Sequence, residues 1–221
     1  MDFGLAFSYL FKDPDWFKKI VIVALIGLIP IVGWLVVFGW CLNIAKRVMN
    51  NHPDPLPEVD FGADLARGFY GFVIAFVYTL PISVLSGIFG IFDSIVASSA
   101  NSDAATAIVT IFSVCFGLFS FLYGLVCGFV LPAAYTNYLA KDSLAAGFNL
   151  REVFAKVRAN PGAYLLVLLG SIVAGIIAPI GAIACGIGVL LTYTYSMAIM
   201  GHLYGQAHIA ATQNEIPAPV S

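Results

Sequence analysis

Charged positions along this chain are rare and clustered, and the distances between the clusters decide the fold class. Four stretches, Ile20 to Ala45, Gly68 to Phe92, Ala104 to Ala140 and Ala159 to Asn214, contain no Asp, Glu, Lys or Arg. Each exceeds the ~20 residues that cross a hydrocarbon core. As a single helix at about 1.5 Å per residue the last would be roughly 84 Å long against a core about 30 Å thick, so it folds back at least once. Composition agrees: 61% of residues are hydrophobic and 10% charged, which places the chain among integral membrane proteins. The pattern predicts an all-α, polytopic transmembrane bundle, forming a single membrane domain over residues 1–221.

Prolines interrupt these runs. In "LIPIVGWLVVFGWCLNIAKRV", Pro30 and Gly33 sit where a spanning helix would be continuous, and a mid-helix proline costs roughly 3 kcal/mol or more. Basic residues flank this run on both sides, so a run with both flanks on one face enters and returns. That predicts a re-entrant or short helical hairpin turning at Pro30 to Gly33; the rival is one kinked span. The end of the chain repeats the design. "DPDWFKKIVIVALIGLIPIVGW" opens with Asp13-Pro14 and breaks at Pro30, and "NPGAYLLVLLGSIVAGIIAPIGAI" opens with Asn160-Pro161 and breaks at Pro179 and Gly181. A weak internal repeat relating 13–48 to 160–206 follows, each unit starting with a capping residue before proline. Pro81 and Pro132 also lie in apolar runs and are expected to break them.

Between the runs, Leu150, Val153, Phe154 and Val157 fall at i, i+3, i+4, i+7, with Arg151, Glu152, Lys156 and Arg158 on other faces. This is the pattern of a short interfacial amphipathic helix. Phe61, Leu65, Phe69 and Phe72 form a similar stripe, preceded by the proline-rich loop "NNHPDPLPE".

Charge then sets orientation, because basic loops stay cytoplasmic. Lys12, Lys18 and Lys19 precede the first run; Lys46, Arg47 and Arg67 follow it; Lys141, Arg151, Lys156 and Arg158 lie in the third loop. The stretch Asp93 to Asp103 has none. The expectation is a multi-pass protein of the cell membrane with a cytoplasmic N-terminus and residues 93–103 outside. The first run lacks a signal-peptide cleavage site and is too long for one. Cys41, Cys115, Cys127 and Cys185 lack metal or redox spacing and read as small core residues.

The segments "FKDPDWFKK", "IPIVG", "FGWCLNIAKRV" and "LPEVDFGADLARGFYGFVIAFVY" resemble the multi-pass membrane proteins grouped as domain of unknown function family 4013, most strongly over residues 8 to 92. The chain departs from the family pattern at Gly39-Trp40, where the family has Gly-Tyr, and near Asn43, where it has arginine. The resemblance implies about six helices and supplies no activity.

Candidate chemistry is sparse. The apolar cores hold no ionisable group of the kind that marks ion paths. Asn43, Asn137, Ser113, Ser171 and Thr192 are available as hydrogen-bonding glue between helices, and Gly124 with Gly128, Ser171 with Gly175, Ala182 with Gly186, and Gly201 with Gly205 have the small-residue spacing that lets helices approach. His202, Gln206 and His208 form a C-terminal cluster. Six residues between the histidines is not a helical ligand spacing, so no metal site is expected, nor any cofactor or catalytic residue. Asp54, Glu58, Asp60 and Asp64 read as a solvated loop face. No phosphate loop, dinucleotide fingerprint or basic stretch for nucleic acid occurs. These features predict a non-catalytic scaffold or accessory subunit that binds lipids, a membrane-protein partner or a second copy of itself, with Pro30, Gly33, Asn43, Pro179, Gly181, His202 and Gln206 as its structural or binding residues. The alternative is a transporter with a mid-membrane site at the breaks near Pro30 and Pro179, as transporters build from discontinuous helices.

Overall fold

The computed structural model describes residues 1–54, 56–99, 103–184 and 187–213, and among them every regular element is a helix. Cys185 and Gly186 lie outside the described residues, as does part of the stretch 93–103. Two short elements, α1 (Leu5–Ser8) and a 3-10 turn (Tyr9–Lys12), lead to α2 (Trp16–Ile26) and α3 (Val32–Met49). The long helices α4 (Phe61–Ser99) and α5 (Asp103–Lys141) follow, then the short α6 (Leu144–Gly147) and α7 (Leu150–Ala159). The chain closes with α8 (Pro161–Ile180), a 3-10 turn (Gly181–Ala184) and α9 (Ile187–Gln213). Four helices are long and apolar enough to cross a membrane: residues Val32–Met49, Phe61–Val96, Val109–Lys141 and Pro161–Ile180.

The helices form two compact units, residues 1–74 with 129–221, and residues 75–128. In the first unit the core gathers Tyr9, Leu10, Ile20, Val23, Val37, Trp40, Ile44, Leu56 and Ala198, so the N-terminal segment, α2, α3, the proline-rich loop and α9 share one interior. Helix α9 is the centre of this unit. It runs antiparallel to α8, with Ser196 Oγ donating to the Ala174 carbonyl (2.9 Å) and Thr192 Oγ1 to that of Ala178 (2.6 Å). It runs parallel to α3, where Gly201 and Gly205 leave no room for a Cβ against Cys41, Ala45 and Val48. The pair expected from small-residue spacing at 201 and 205 therefore packs within the chain, whereas Gly124 and Gly175 face open space.

The second unit is an antiparallel pair made from the far part of α4 and the near part of α5. Tyr123 Oη donates to the Tyr78 carbonyl (2.6 Å), and Phe89 stacks on Phe116 with centroids 4.7 Å apart. Its flanks are lined with exposed Val84, Leu85, Ile88, Ile91, Ile111, Val114, Leu118 and Phe121.

Several local expectations change. Pro81 and Pro132 lie inside unbroken helices, and apolar helices tolerate proline where side chains and neighbours serve the freed backbone. Asn160 caps α8 as expected, accepting from the Ala163 N–H (3.1 Å) with Pro161 in the first turn. Asp13 does not cap α2: it turns the chain by accepting from the Asp15 N–H (2.8 Å), and the helix begins at Trp16. The stripe Phe61, Phe69 and Phe72 is exposed while Asp64, Gly68 and Gly71 face inward. On α7, Val153 and Lys156 are buried and Leu150 and Phe154 exposed, so the apolar stripe is divided between core and surface. Cys115 is exposed, against the reading of all four cysteines as core.

Candidate functional site

The two helix breaks lie in one unit and differ in construction. After α2 the chain turns over residues 27–31, and Gly33 sits against the Ile26 carbonyl so closely that a Cβ would overlap it. Pro30 lies in the turn itself. The Val32 N–H donates to the Pro30 carbonyl (2.7 Å), closing a γ-turn around Ile31 at φ 63°, ψ −62°. Positive φ is a strained choice for a β-branched residue, and Ile31 is 77% exposed, so no packing of its own side chain holds it there. At the second break Pro179 still belongs to α8, and the reversal begins at Gly181, where a Cβ would strike the Gly188 carbonyl. An apolar pocket of about 220 Å³ opens beside the first turn, lined by Gly27, Trp34 and Val37 on one side and Val189, Tyr193 and Thr194 of α9 on the other.

Asn43 takes part in a polar crossing that sequence spacing missed. Helices α3 and α4 cross antiparallel where Gly39 meets the Asp64 carbonyl and Gly68 meets that of Leu35, contacts without space for a side chain. Asp64, placed above in a solvated loop, is fully buried. Its carboxylate accepts from Arg67 (2.7 Å), the Asp60 N–H (3.0 Å) and Asn43 Nδ2 (3.3 Å). The missed signal is the i, i+4, i+7 run Asp64, Gly68, Gly71: in an apolar helix the small and polar face is the one that packs.

His202 and Gln206 share one face of α9. Gln206 Oε1 accepts from the Asp2 N–H (2.7 Å), and its Nε2 bonds the Asp2 carbonyl (3.0 Å) and His202 Nδ1 (2.9 Å). Tyr9 stacks on the His202 ring with centroids 4.2 Å apart while its hydroxyl donates to the Ala198 carbonyl (3.1 Å). His208 belongs elsewhere, 3.3 Å from Lys156 Nζ. Among the described residues no group of three His, Cys, Asp or Glu could hold a metal ion.

Beside His202 lies a cavity of about 380 Å³ whose walls include Tyr9, Lys12, Asp13, His52, Asp54 and Leu56. A second opening of about 560 Å³ shares Asp13, Asp54 and Leu56 and adds Lys19, Arg47 and Glu58. The loop between them is tied down from three sides: Lys19 Nζ donates to the Leu56 carbonyl (2.9 Å), Arg47 to that of Asp54 (2.6 Å), and Trp40 Nε1 to that of Pro57 (3.0 Å). Burial raises the Asp13 carboxyl, but the bond from Lys19 (2.5 Å) and the Asp15 N–H outweigh it and hold it below the usual carboxylate range. Glu152 is lowered likewise by Lys141 and Asn137. Lys46 pairs with Asp142, which brings the end of α3 to the end of α5 and joins the first and third basic loops.

Of the residues expected to be glue, Asn43, Asn137 and Thr192 bond other elements, and Ser171 bonds the Leu168 carbonyl of its own helix.

No curated protein and no solved structure matches the chain. A family model does, over residues 22–187, a span that contains both helix breaks and the Asp64 crossing and stops short of His202 and Gln206. The chain therefore belongs to the family described as protein of unknown function DUF4013.

Proposed function

We propose that this protein is a non-catalytic component of the cell membrane, a scaffold or accessory subunit that binds lipids or a membrane-protein partner, with its N-terminus on the cytoplasmic side. The observation that carries the reading is the division of labour between side chains. Polar groups are used within the chain, at Asp64 with Arg67 and Asn43, at Glu152 with Lys141 and Asn137, and at Gln206 with Asp2 and His202. Large apolar residues such as Leu28, Ile31, Trp34, Ile88 and Ile176 are left on the surface, where lipid or another membrane helix is the solvent. In this reading α2 and α3 form a re-entrant hairpin: α2, with 11 residues, reaches about 16 Å, half of a hydrocarbon core. The Lys46–Asp142 pair supports one cytoplasmic face for both basic loops.

The second reading, a transporter with a site at the broken helices, is favoured by the pocket beside Gly27 and Trp34. Purification in a mild detergent separates the two. Stoichiometric lipid or a membrane-protein partner that survives size exclusion supports the first; recovery of bare protein, with solute uptake by reconstituted vesicles that is lost in Gly27→Leu, overturns it for the second. Single cysteines at positions 12, 51 and 143, in a background lacking the native four, are expected to resist an impermeant maleimide on intact cells while one at 98 reacts. Labelling at 12 from outside would refute the cytoplasmic N-terminus and the hairpin with it.

A further inference from the structure

We propose that the cavity beside His202 is a binding site for a phosphate group, carried by a lipid headgroup or by a soluble phosphate. The argument rests on which atoms are free to donate. Gln206 Oε1 accepts from a backbone N–H, so the amide is oriented with Nε2 as the donor, and His202 Nδ1, bonded to that Nε2, must accept. The proton of the neutral ring is therefore on Nε2. His202 is 5% exposed and lines the cavity, and no hydrogen-bond partner of its Nε2 occurs among the described residues. His52 lines the same wall: its Nδ1 lies 3.1 Å from both the N–H and the carbonyl of Asp54, and in the tautomer that accepts from the N–H its Nε2 carries the proton. Arg47 serves the Asp54 carbonyl, the rival partner of that ring. Lys12, the third donor on the wall, makes no ion pair among the described residues.

Against these donors stand two carboxylates. Asp13 is occupied by Lys19 and the Asp15 N–H, and Asp54 is exposed. Donors from three separate elements, the N-terminal segment, the proline-rich loop and α9, suit a tetrahedral oxyanion, whose several oxygens accept from different directions. A space of about 380 Å³ takes such a group with water. Tyr9, stacked on His202, fixes the plane of the ring.

This inference narrows the lipid part of the proposed function and rests on that reading for its lipid arm alone. The test uses the full chain in mild detergent, with phosphatidic acid retention read by native mass spectrometry and inorganic phosphate binding by calorimetry. At least one of the two binds, and Lys12→Gln and His202→Gln each weaken it about tenfold, the effect of one charge-assisted hydrogen bond, while Lys18→Gln has no effect. Binding of phosphatidic acid alone identifies a headgroup; equal dependence for inorganic phosphate identifies a soluble source. Absence of both, or affinities unchanged in Lys12→Gln, an exposed position that does not threaten folding, overturns the site. Stoichiometric lipid that ignores both substitutions overturns the site and leaves the lipid-binding reading standing.

Discussion

The glycines at the helix crossings of one unit and those along the helices of the other have opposite surroundings. In the unit of residues 1–74 and 129–221, Gly39, Gly68, Gly201 and Gly205 stand where helices touch backbone to backbone; in the unit of residues 75–128, Gly87, Gly90, Gly117 and Gly124 face open space. The first unit is held by small residues at its crossings and by polar groups that bridge elements. The second is held between its two helices by aromatic stacking and a tyrosine hydroxyl. Residue type alone therefore does not tell a packing glycine from a surface one; what faces it does.

The sharpest break of this comparison is Gly39→Ala against Gly124→Ala. At 39 the new methyl meets the Asp64 carbonyl, which is backbone and cannot swing away, so a loss of about 3 kcal/mol is expected, read as a fall in melting temperature in detergent. At 124 it meets nothing, and better helix propensity adds up to ~1 kcal/mol. Equal effects at both positions would dissolve the distinction.

Asp64→Ala comes next. It leaves Arg67 and Asn43 without their acceptor at the same crossing, with an expected cost of roughly 2 to 3 kcal/mol. Asp64→Asn should recover part of this, because it keeps an acceptor for Arg67. A change under ~0.5 kcal/mol, the range of ordinary surface substitutions, would return Asp64 to the solvated loop where its sequence context places it.

That residue shows how far the sequence was legible. The membrane class, the fold-back of the last apolar run, the reversal near Pro30 and the pairing of His202 with Gln206 follow from run length, proline position and helical spacing. Asp64 did not, because the Phe61–Phe69–Phe72 stripe draws the eye to the larger side chains, and in an apolar solvent those face outward. Pro81 and Pro132 resembled Pro30 for a related reason. A proline marks a lost hydrogen bond, but whether the helix stops depends on its surroundings: Gly27 and Gly33 permit close reversal at Pro30, while α4 and α5 run on past their prolines. The basin around His202 was only half visible, since its walls come from Tyr9, Lys12, His52 and α9, far apart in the chain.

A smaller effect sharpens the comparison of the two turns. Ile31→Gly removes a side chain from a positive-φ position, with an expected gain of about 1 kcal/mol, reduced by glycine's greater freedom when unfolded. Ile31→Val should be neutral, and destabilisation by glycine would show that the exposed side chain has a partner in the membrane.

The smallest effect is in pH. Asp13 and Glu152 both titrate lower in the fold than in the unfolded chain, so their contribution is complete above the unfolded value of about 4 and is lost as pH falls through the folded value. Melting temperature should drop below pH ~4, and the drop should be shallower in Asp13→Asn. A profile that Asp13→Asn leaves unchanged would mean that its bond to Lys19 does not tie the loop in solution.

The ties between the N-terminal segment and α9 have a consequence for how the chain is made. Asp2 to Gln206, Tyr9 to Ala198 and Tyr195 to Phe7 join partners separated by 204, 189 and 188 positions. The residues from Asp2 to Tyr9 thus find their seat only after α9 has emerged, so the first unit cannot close before that helix is made, whereas both helices of the second unit precede it in the chain. Until then the insertion machinery meets this segment unlatched, and a nascent chain arrested before α9 should leave it open to protease.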